Sequence, residues 1–363
     1  MVVISITTYC FLALYAAMIL AFAIGWKRTP RYTEKMPMKS PISLVVCCKN
    51  EAENLPPLLR SIETQTHTDF EVIFVDDHST DDTAKILDEF AQNHTFARCI
   101  SASGNGKKSA LSDGILSAKN EIIVCTDADC TLQPEHLQII SDYFAENEPD
   151  LLLGAVRMTD DGTLFQQLQA LEFASLMAST AGACGAHMPV MCNGANLAFK
   201  KSIWLQCHSA LHAEQPSGDD VFLLHAVKKM CGKIAFLKSE KIVVTTKPQT
   251  TLRDFMNQRA RWTSKAANYT DPATIVVACL VFGLSALILL DFIGIFWHFA
   301  TLIPFCIAFG AKFAIDTAFL AIFLPFTHQI KLLRHTLALS AIYPIYVVYS
   351  ALRGLVGEFR WKS

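Results

Sequence analysis

The sequence predicts an α/β domain, built on a mostly parallel sheet with helices on both faces and flanked by transmembrane helices. Three observations predict it. Apolar residues concentrate at the two ends of a 363-residue chain that is 52% hydrophobic overall. Between the ends, runs of Val and Ile alternate with segments of helical periodicity, and strands apolar on both faces belong in a sheet that helices cover. Acidic clusters directly follow several of these runs, and in such sheets ligands bind beyond the carboxyl ends of the strands.

Val2 to Trp26 carries no charge, and about 20 apolar residues suffice for a helix to cross a hydrocarbon core of roughly 30 Å. Residues 1–26 therefore read as an N-terminal transmembrane helix. Ala21-Phe22-Ala23 looks like a signal-peptide cleavage site. No basic residue precedes the run, however, and it exceeds the length of a signal core. Residues 27–40 form a basic juxtamembrane linker with Lys27, Arg28, Arg31, Lys35 and Lys39. Basic flanks stay on the cytoplasmic side, which puts the domain that follows in the cytosol.

In that domain, 41–250, Ile42 to Cys48 is a strand, and Ala52 to Thr64 is a helix with Leu55, Leu58, Leu59 and Ile62 on one face. Glu71 to Val75 is the next strand and Asp82 to Phe90 the next helix, with Ser79 to Asp82 as its cap. A helix over 107–118 and a strand over Glu121 to Cys125 follow. Residues 251–272 read as an interfacial helix and 273–363 as a C-terminal membrane region. There, 273–290 and 292–311 suggest two crossings; 317–326 is short, 328–335 is charged, and 336–352 could just span. Arg353, Arg360 and Lys362 argue for a cytoplasmic C-terminus, so two or four crossings are expected after the domain.

A net charge of −2 gives no general basic field and excludes nucleic acid as a partner. The twelve cysteines are scattered without a C-x-x-C pair and read as small buried hydrophobes. The first strand ends in Lys49-Asn50-Glu51, the second in Asp76-Asp77-His78-Ser79, and a later one in Asp127-Ala128-Asp129 within CTDADC. If strand geometry continues, Asp127 and Asp129 project to one side, and hard oxygen ligands suit Mg2+ or Mn2+ completed by phosphate oxygens and water. Zinc would need Cys125 and Cys130 joined by His208 and His212 from a distant loop. Gly104 to Ser109 is not a Walker loop, but Gly106-Lys107 at a helix start can bring an ammonium and free N–H groups to an anion. Asp219 and Asp220 head an apolar helix, as dipole-stabilising caps or as a general base. Arg261 and Trp262 in Gln258-Arg259-Ala260-Arg261-Trp262 would be ordinary membrane anchors if read alone.

In this order, VVCCKNEAENL (45–55), VDDHSTDDT (75–83), NGKKSAL (105–111), TDAD (126–129), SGDDVFLL (217–224) and QRARW (258–262) resemble a family 2 inverting glycosyltransferase. The resemblance covers about 41–265, and the combination is far more specific than any one piece. Q-x-x-R-W beside a membrane is similar to the branch that includes hyaluronan, cellulose and poly-N-acetylglucosamine synthases and ceramide glucosyltransferase. It implies a GT-A fold, Rossmann-like, and a nucleotide diphosphate sugar as donor. Glu51, Asp76 and Asp77 would bind the nucleoside, Lys107 the nucleotide or its phosphates, Asp127 the nucleotide side and Asp129 the metal. Asp220 would be the base. Gln258, Arg261 and Trp262 would close over the diphosphate and the acceptor. Ser217-Gly218-Asp219-Asp220 stands where many relatives carry Thr-Glu-Asp, so Asp219 is a second candidate. The acceptor-side stretch around Asn193 and Gly194 differs from the long-chain synthases, so one sugar added to a lipid fits as well as a growing glycan. The expected setting is an integral protein of the bacterial inner membrane, in contact with membrane lipids. The competing readings are a catalytically inactive membrane scaffold and a sugar nucleotidyltransferase; the latter would need a Gly-rich basic triphosphate loop.

Overall fold

The computed structural model describes residues 2–33, 40–207 and 218–356. In chain order the first half contains α1 (Val2–Arg28), β1 (Ile42–Cys48), α2 (Leu55–Glu63), β2 (Phe70–Asp76), α3 (Thr83–Asn93), β3 (Ala97–Ser101), α4 (Lys107–Ser117), β4 (Ile122–Asp127) and α5 (His136–Asn147). Next come β5 (Leu151–Leu153), β6 (Val156–Met158), α6 (Leu164–Gly185), β7 (Leu197–Lys200), α7 (Lys201–Cys207), α8 (Asp219–Lys229), β8 (Ile234–Phe236) and β9 (Val244–Thr246). The chain closes with α9 (Leu252–Ser264), α10 (Pro272–Gly294), α11 (Leu302–Phe323) and α12 (Thr336–Val356). These elements fall into two compact units. One comprises Thr29–Arg157 and Met191–Lys247, the other Met1–Arg28, Met158–Val190 and Pro248–Ser363.

The first unit is built on a seven-stranded sheet of order β3-β2-β1-β4-β7-β5-β8. β3, β2, β1 and β4 run parallel, while β7 is antiparallel to both β4 and β5. The Val and Ile runs of β1, β2 and β4 are buried along almost their whole length, as strands covered on both faces must be. α2 opens on Leu55-Pro56-Pro57, where proline's missing N–H costs nothing, and buries Leu55, Leu58, Leu59 and Ile62. The register is what matters for chemistry. Cys48 pairs with Asp76 and Cys47 with Asp127, so the carboxylates ending β2 and β4 flank the end of β1 one residue apart in register.

The second unit gathers α1, α6 and the C-terminal helices. α6 and α1 approach at glycines: a Cβ on Gly182 would stand 2.5 Å from the Phe22 carbonyl oxygen. Small residues at a contact let two helix backbones close on one another. Helices over Ser5–Arg28, Pro272–Gly294, Leu302–Thr327 and Ile330–Gly354 are long and apolar enough to cross a membrane. Among the described residues, three such helices follow the domain. The second of these helices is also displaced from 292–311, because α11 does not stop at Lys312. Lys312 is only 5% exposed, is paired to Asp316 one turn on, and has its ammonium 5.0 Å from the Tyr15 ring centroid and 4.7 Å from that of Tyr343. A lysine neutralised inside a bundle does not end a helix.

Candidate functional site

The carboxyl edge of the parallel strands brings most of the expected donor-side residues together. Asp76, the last residue of β2, is 7% exposed; its Oδ2 accepts from Ser79 N at 3.2 Å, and its Oδ1 is buried without a hydrogen-bond partner. A buried unpaired acceptor is costly unless a ligand completes it. Asp77 is engaged on both oxygens, with Gly106 N donating to Oδ1 at 2.9 Å and Lys49 Nζ lying 3.5 Å from Oδ2. Glu51 Oε2 accepts from Asn54 Nδ2 at 2.7 Å, and Glu51 N donates to Thr83 Oγ1. The expected cap of α3 comes from Asp81, whose Oδ1 accepts from Thr83 N at 3.0 Å.

Two expectations about this edge change. β4 ends at Asp127, and 128–129 form a turn closed by Cys130 N donating to Asp127 O at 3.1 Å. Strand alternation therefore does not set the relation between Asp127 and Asp129; the turn does. Gly106, at φ +92° ahead of α4, has its N–H taken by Asp77, so that group is not free for an anion. Only glycine adopts that backbone cheaply.

The consecutive lysines opening α4 divide their work. Lys107 is hydrogen-bonded to Asp127; burial alone would lower its pKa, but the Asp127 carboxylate outweighs that and holds the ammonium charged. Lys108 lies 3.8 Å from Asp219 Oδ1 and 5.4 Å from the Phe222 ring centroid, tying α4 to the head of α8. The sequence reading missed Lys49 and Lys108. Both adjoin motif residues, but their carboxylate partners lie on other elements.

At α8, Gly194 N donates to Asp220 Oδ2 at 3.1 Å, and Asn193 Oδ1 accepts from Ala195 N at 2.9 Å. Asn193, Gly194 and the head of α8 are thus neighbours. Ser217, His208 and His212 lie outside the described residues.

For a cation the strand edge offers Asp127 and Asp129, and among the described residues no three His, Cys, Asp or Glu side chains form a metal-holding group. Two hard oxygen donors without a third protein ligand fit Mg2+ or Mn2+, which keep water and phosphate in their shell. The thiols fit poorly: burial pushes Cys125 up to about 12 and Cys130 well above its ordinary value, so neither is a ready thiolate.

In the second unit, α9 carries Gln258, Arg261 and Trp262, all half-buried, with Trp262 against Phe173 of α6 at 6.2 Å between ring centroids. Arg259 on the same helix is only 2% exposed and is paired with Glu172 at 2.5 Å. Neither residue was singled out from sequence. The available signal was an acid in the otherwise apolar stretch of α6.

Residues 43–204 match the family described as Glycosyl transferase family 2. A poly-beta-1,6-N-acetyl-D-glucosamine synthase of Staphylococcus epidermidis is 30% identical over 137 residues, covering 38% of this chain and 33% of that protein. The synthase of that name from Staphylococcus aureus strain N315 is 29% identical over 141 residues, with the same shares. The matched stretch spans about a third of the length of these relatives. Among solved structures, the mannosyltransferase PcManGT from Pyrobaculum calidifontis, in complex with GDP-Man and Mn2+, superposes with a TM-score of 0.53 at 18% identity. That superposition covers 95% of this chain and 97% of that one, and the shared fold is GT-A.

Proposed function

Taking residues 43–204 to be a glycosyl transferase family 2 domain, we propose that the protein moves a sugar from a nucleotide diphosphate sugar to a hydroxyl of a lipid or glycan acceptor, inverting the anomeric carbon. One observation carries the reading: the Lys107–Asp127 pair lies on the same sheet edge as the unpaired Asp76 acceptor, and Lys108 ties that edge to Asp219 and Asp220. Asp76 Oδ1 suits an N–H of the nucleobase. Glu51, just past the end of β1, serves the nucleoside with it, and Asp77 does so by holding Lys49 and the Gly106 loop.

Asp129 and Asp127 would hold Mg2+ or Mn2+, as Mn2+ accompanies GDP-Man in the mannosyltransferase. Such a cation neutralises charge on a leaving diphosphate. Lys107 balances the Asp127 carboxylate and adds a fixed positive charge on the phosphate side. Asp220 takes the proton of the acceptor hydroxyl as that oxygen attacks C1 from the face opposite the diphosphate. The C1–O bond breaks with its electron pair leaving on the diphosphate, so a single displacement inverts C1 without a covalent enzyme intermediate. Asn193 and Gly194 border the acceptor side of Asp220. Gln258 and Arg261 supply donors for the diphosphate and Trp262 an apolar face for the acceptor.

The chain is an integral membrane protein in this reading, with its catalytic domain on the cytosolic side of a bacterial inner membrane. The synthase activity for which these relatives are named makes nucleotide-linked N-acetylglucosamine the first donor to try, and favours a growing glycan as the second reading beside single transfer to a lipid. The test is donor turnover by the protein in lipid with Mg2+ or Mn2+. Asp220→Asn should lose roughly 10²- to 10⁴-fold in transfer, the span of general-base catalysis, and Asp129→Ala should lose the response to metal. Turnover by both variants at the parent's rate would defeat the assignment.

A further inference from the structure

Arg259 occupies a position that no motif role covers, yet among the described residues it is the largest fully buried side chain. Its Nη2 donates to Glu172 Oε2 at 2.5 Å and its Nη1 to Gln258 Oε1 at 2.6 Å. Its guanidinium carbon stands 4.1 Å from the ring centroid of Trp262 and 4.6 Å from that of Phe255. Positions 255, 259 and 262 follow the i, i+4, i+7 spacing of one helix face, so the planar group is sandwiched within α9 itself. Glu172, 3% exposed, is fixed from its other oxygen by Tyr346 OH donating at 3.2 Å.

Burying an arginine and a glutamate together costs desolvation that packing alone would avoid, so the pair is poor evidence for stability and better evidence for geometry. The geometry is specific. With its carbonyl oxygen accepting from Arg259, Gln258 presents its NH2 group as the remaining donor. With a guanidinium stacked on one face, the Trp262 indole keeps one orientation. Lysine could supply the charge but neither the fork nor the stack.

We propose that Arg259 is a positioning residue, held by Glu172, that fixes the orientation of Gln258 and Trp262 for the diphosphate and the acceptor. The ligand classes rest on the function proposed above; the clamp itself rests on the contacts in this unit.

The test uses the full-length protein in lipid. Arg259→Lys keeps a cation beside Glu172, so the pair stays neutral and folding is preserved. The parent and Arg259→Lys are each compared with their Trp262→Phe counterpart, and the fluorescence difference isolates Trp262 from the other tryptophans. Acrylamide should quench Trp262 more in Arg259→Lys than in the parent. Transfer should fall roughly tenfold or more, the scale of a small misplacement near a reacting centre. A double-mutant cycle should be non-additive, with Arg259→Lys/Trp262→Ala no slower than Trp262→Ala alone. Unchanged quenching, or fully additive losses, would overturn the proposal. If the parent transferred no sugar from any donor, the glycosyl-transfer reading would fall and the quenching comparison would still decide the clamp.

Discussion

In the proposed function, Lys107 and Asp127 are the pair on which the donor side turns. The ammonium stays charged because the carboxylate outweighs the cost of burial, and the carboxylate is already half neutralised before any cation arrives. Lys107→Met should therefore free Asp127 to bind cation more tightly while removing a positive charge from the phosphate side. The expected outcome is a lower metal concentration for half-maximal turnover together with a higher KM for donor, both read from initial rates across a Mn2+ titration. A parallel change of both in the same direction would contradict this division of labour.

Of these residues, Asp76, Asp127, Asp129 and Asp220 were legible because each directly follows an apolar run or heads an apolar helix. Arg259 was not, since its meaning depends on Glu172, 87 residues earlier in the chain. Lys312 misled for the same kind of reason: a lone lysine reads as a helix boundary until its aspartate and aromatic neighbours are in view.

At the level of elements, β1, β2 and β4 could be read because Val and Ile fill both faces. β5, β7 and β8 are three or four residues each and carry no period, so nothing local distinguished the antiparallel β7. α6 escaped because it is buried nearly all round and shows no polar stripe to mark a period. α5 contributes a pH dependence. His136 at its start is fully buried, and burial lowers its pKa from 6.5 to about 4. The unfolded chain thus binds this proton at higher pH than the folded chain does. The stabilisation is complete above pH 6.5 and is lost as pH falls towards 4, by about 3 kcal/mol at most. Thermal melts of the protein in lipid should show this decline, and His136→Leu should flatten it over the same interval. Parallel curves for the two proteins would remove His136 from the account.

At the largest scale, the helix ends of the second unit settle into two levels. Thr8 of α1 donates to Asp291 near the end of α10 at 2.9 Å, which marks one level. Trp26 Nε1 donates to Ile322 O of α11 at 3.4 Å, and Thr274 Oγ1 at the start of α10 to Val190 O at 3.0 Å, which mark the other, where Lys27 and Arg28 follow. α12 starts just past the end of α11. Its far end then returns to α9, with Thr263 Oγ1 donating to Ser350 O at 2.8 Å and Arg353 Nη2 to Asn257 Oδ1 at 2.6 Å. α9 itself precedes the start of α10. Both ends of α12 therefore lie towards the level of Lys27, although Tyr343 between them reaches Lys312 and the helix is long and apolar enough to cross a membrane. The prediction is that reporters fused to the C-terminus and inserted in the loop at 160–162 read the same side of the membrane, with an N-terminal reporter on the other. A C-terminal reporter on the N-terminal side would mean that α12 crosses.

The central claim is one inverting displacement at C1, with Asp220 as base. Its most direct measurement is the mass and anomeric configuration of the product made by the protein in lipid from nucleotide sugars and an added acceptor. The account predicts an acceptor heavier by whole sugar residues, each with the anomeric configuration opposite to that of the donor, and no such product from Asp220→Asn. Retained configuration, or product formed equally well by Asp220→Asn, would contradict it.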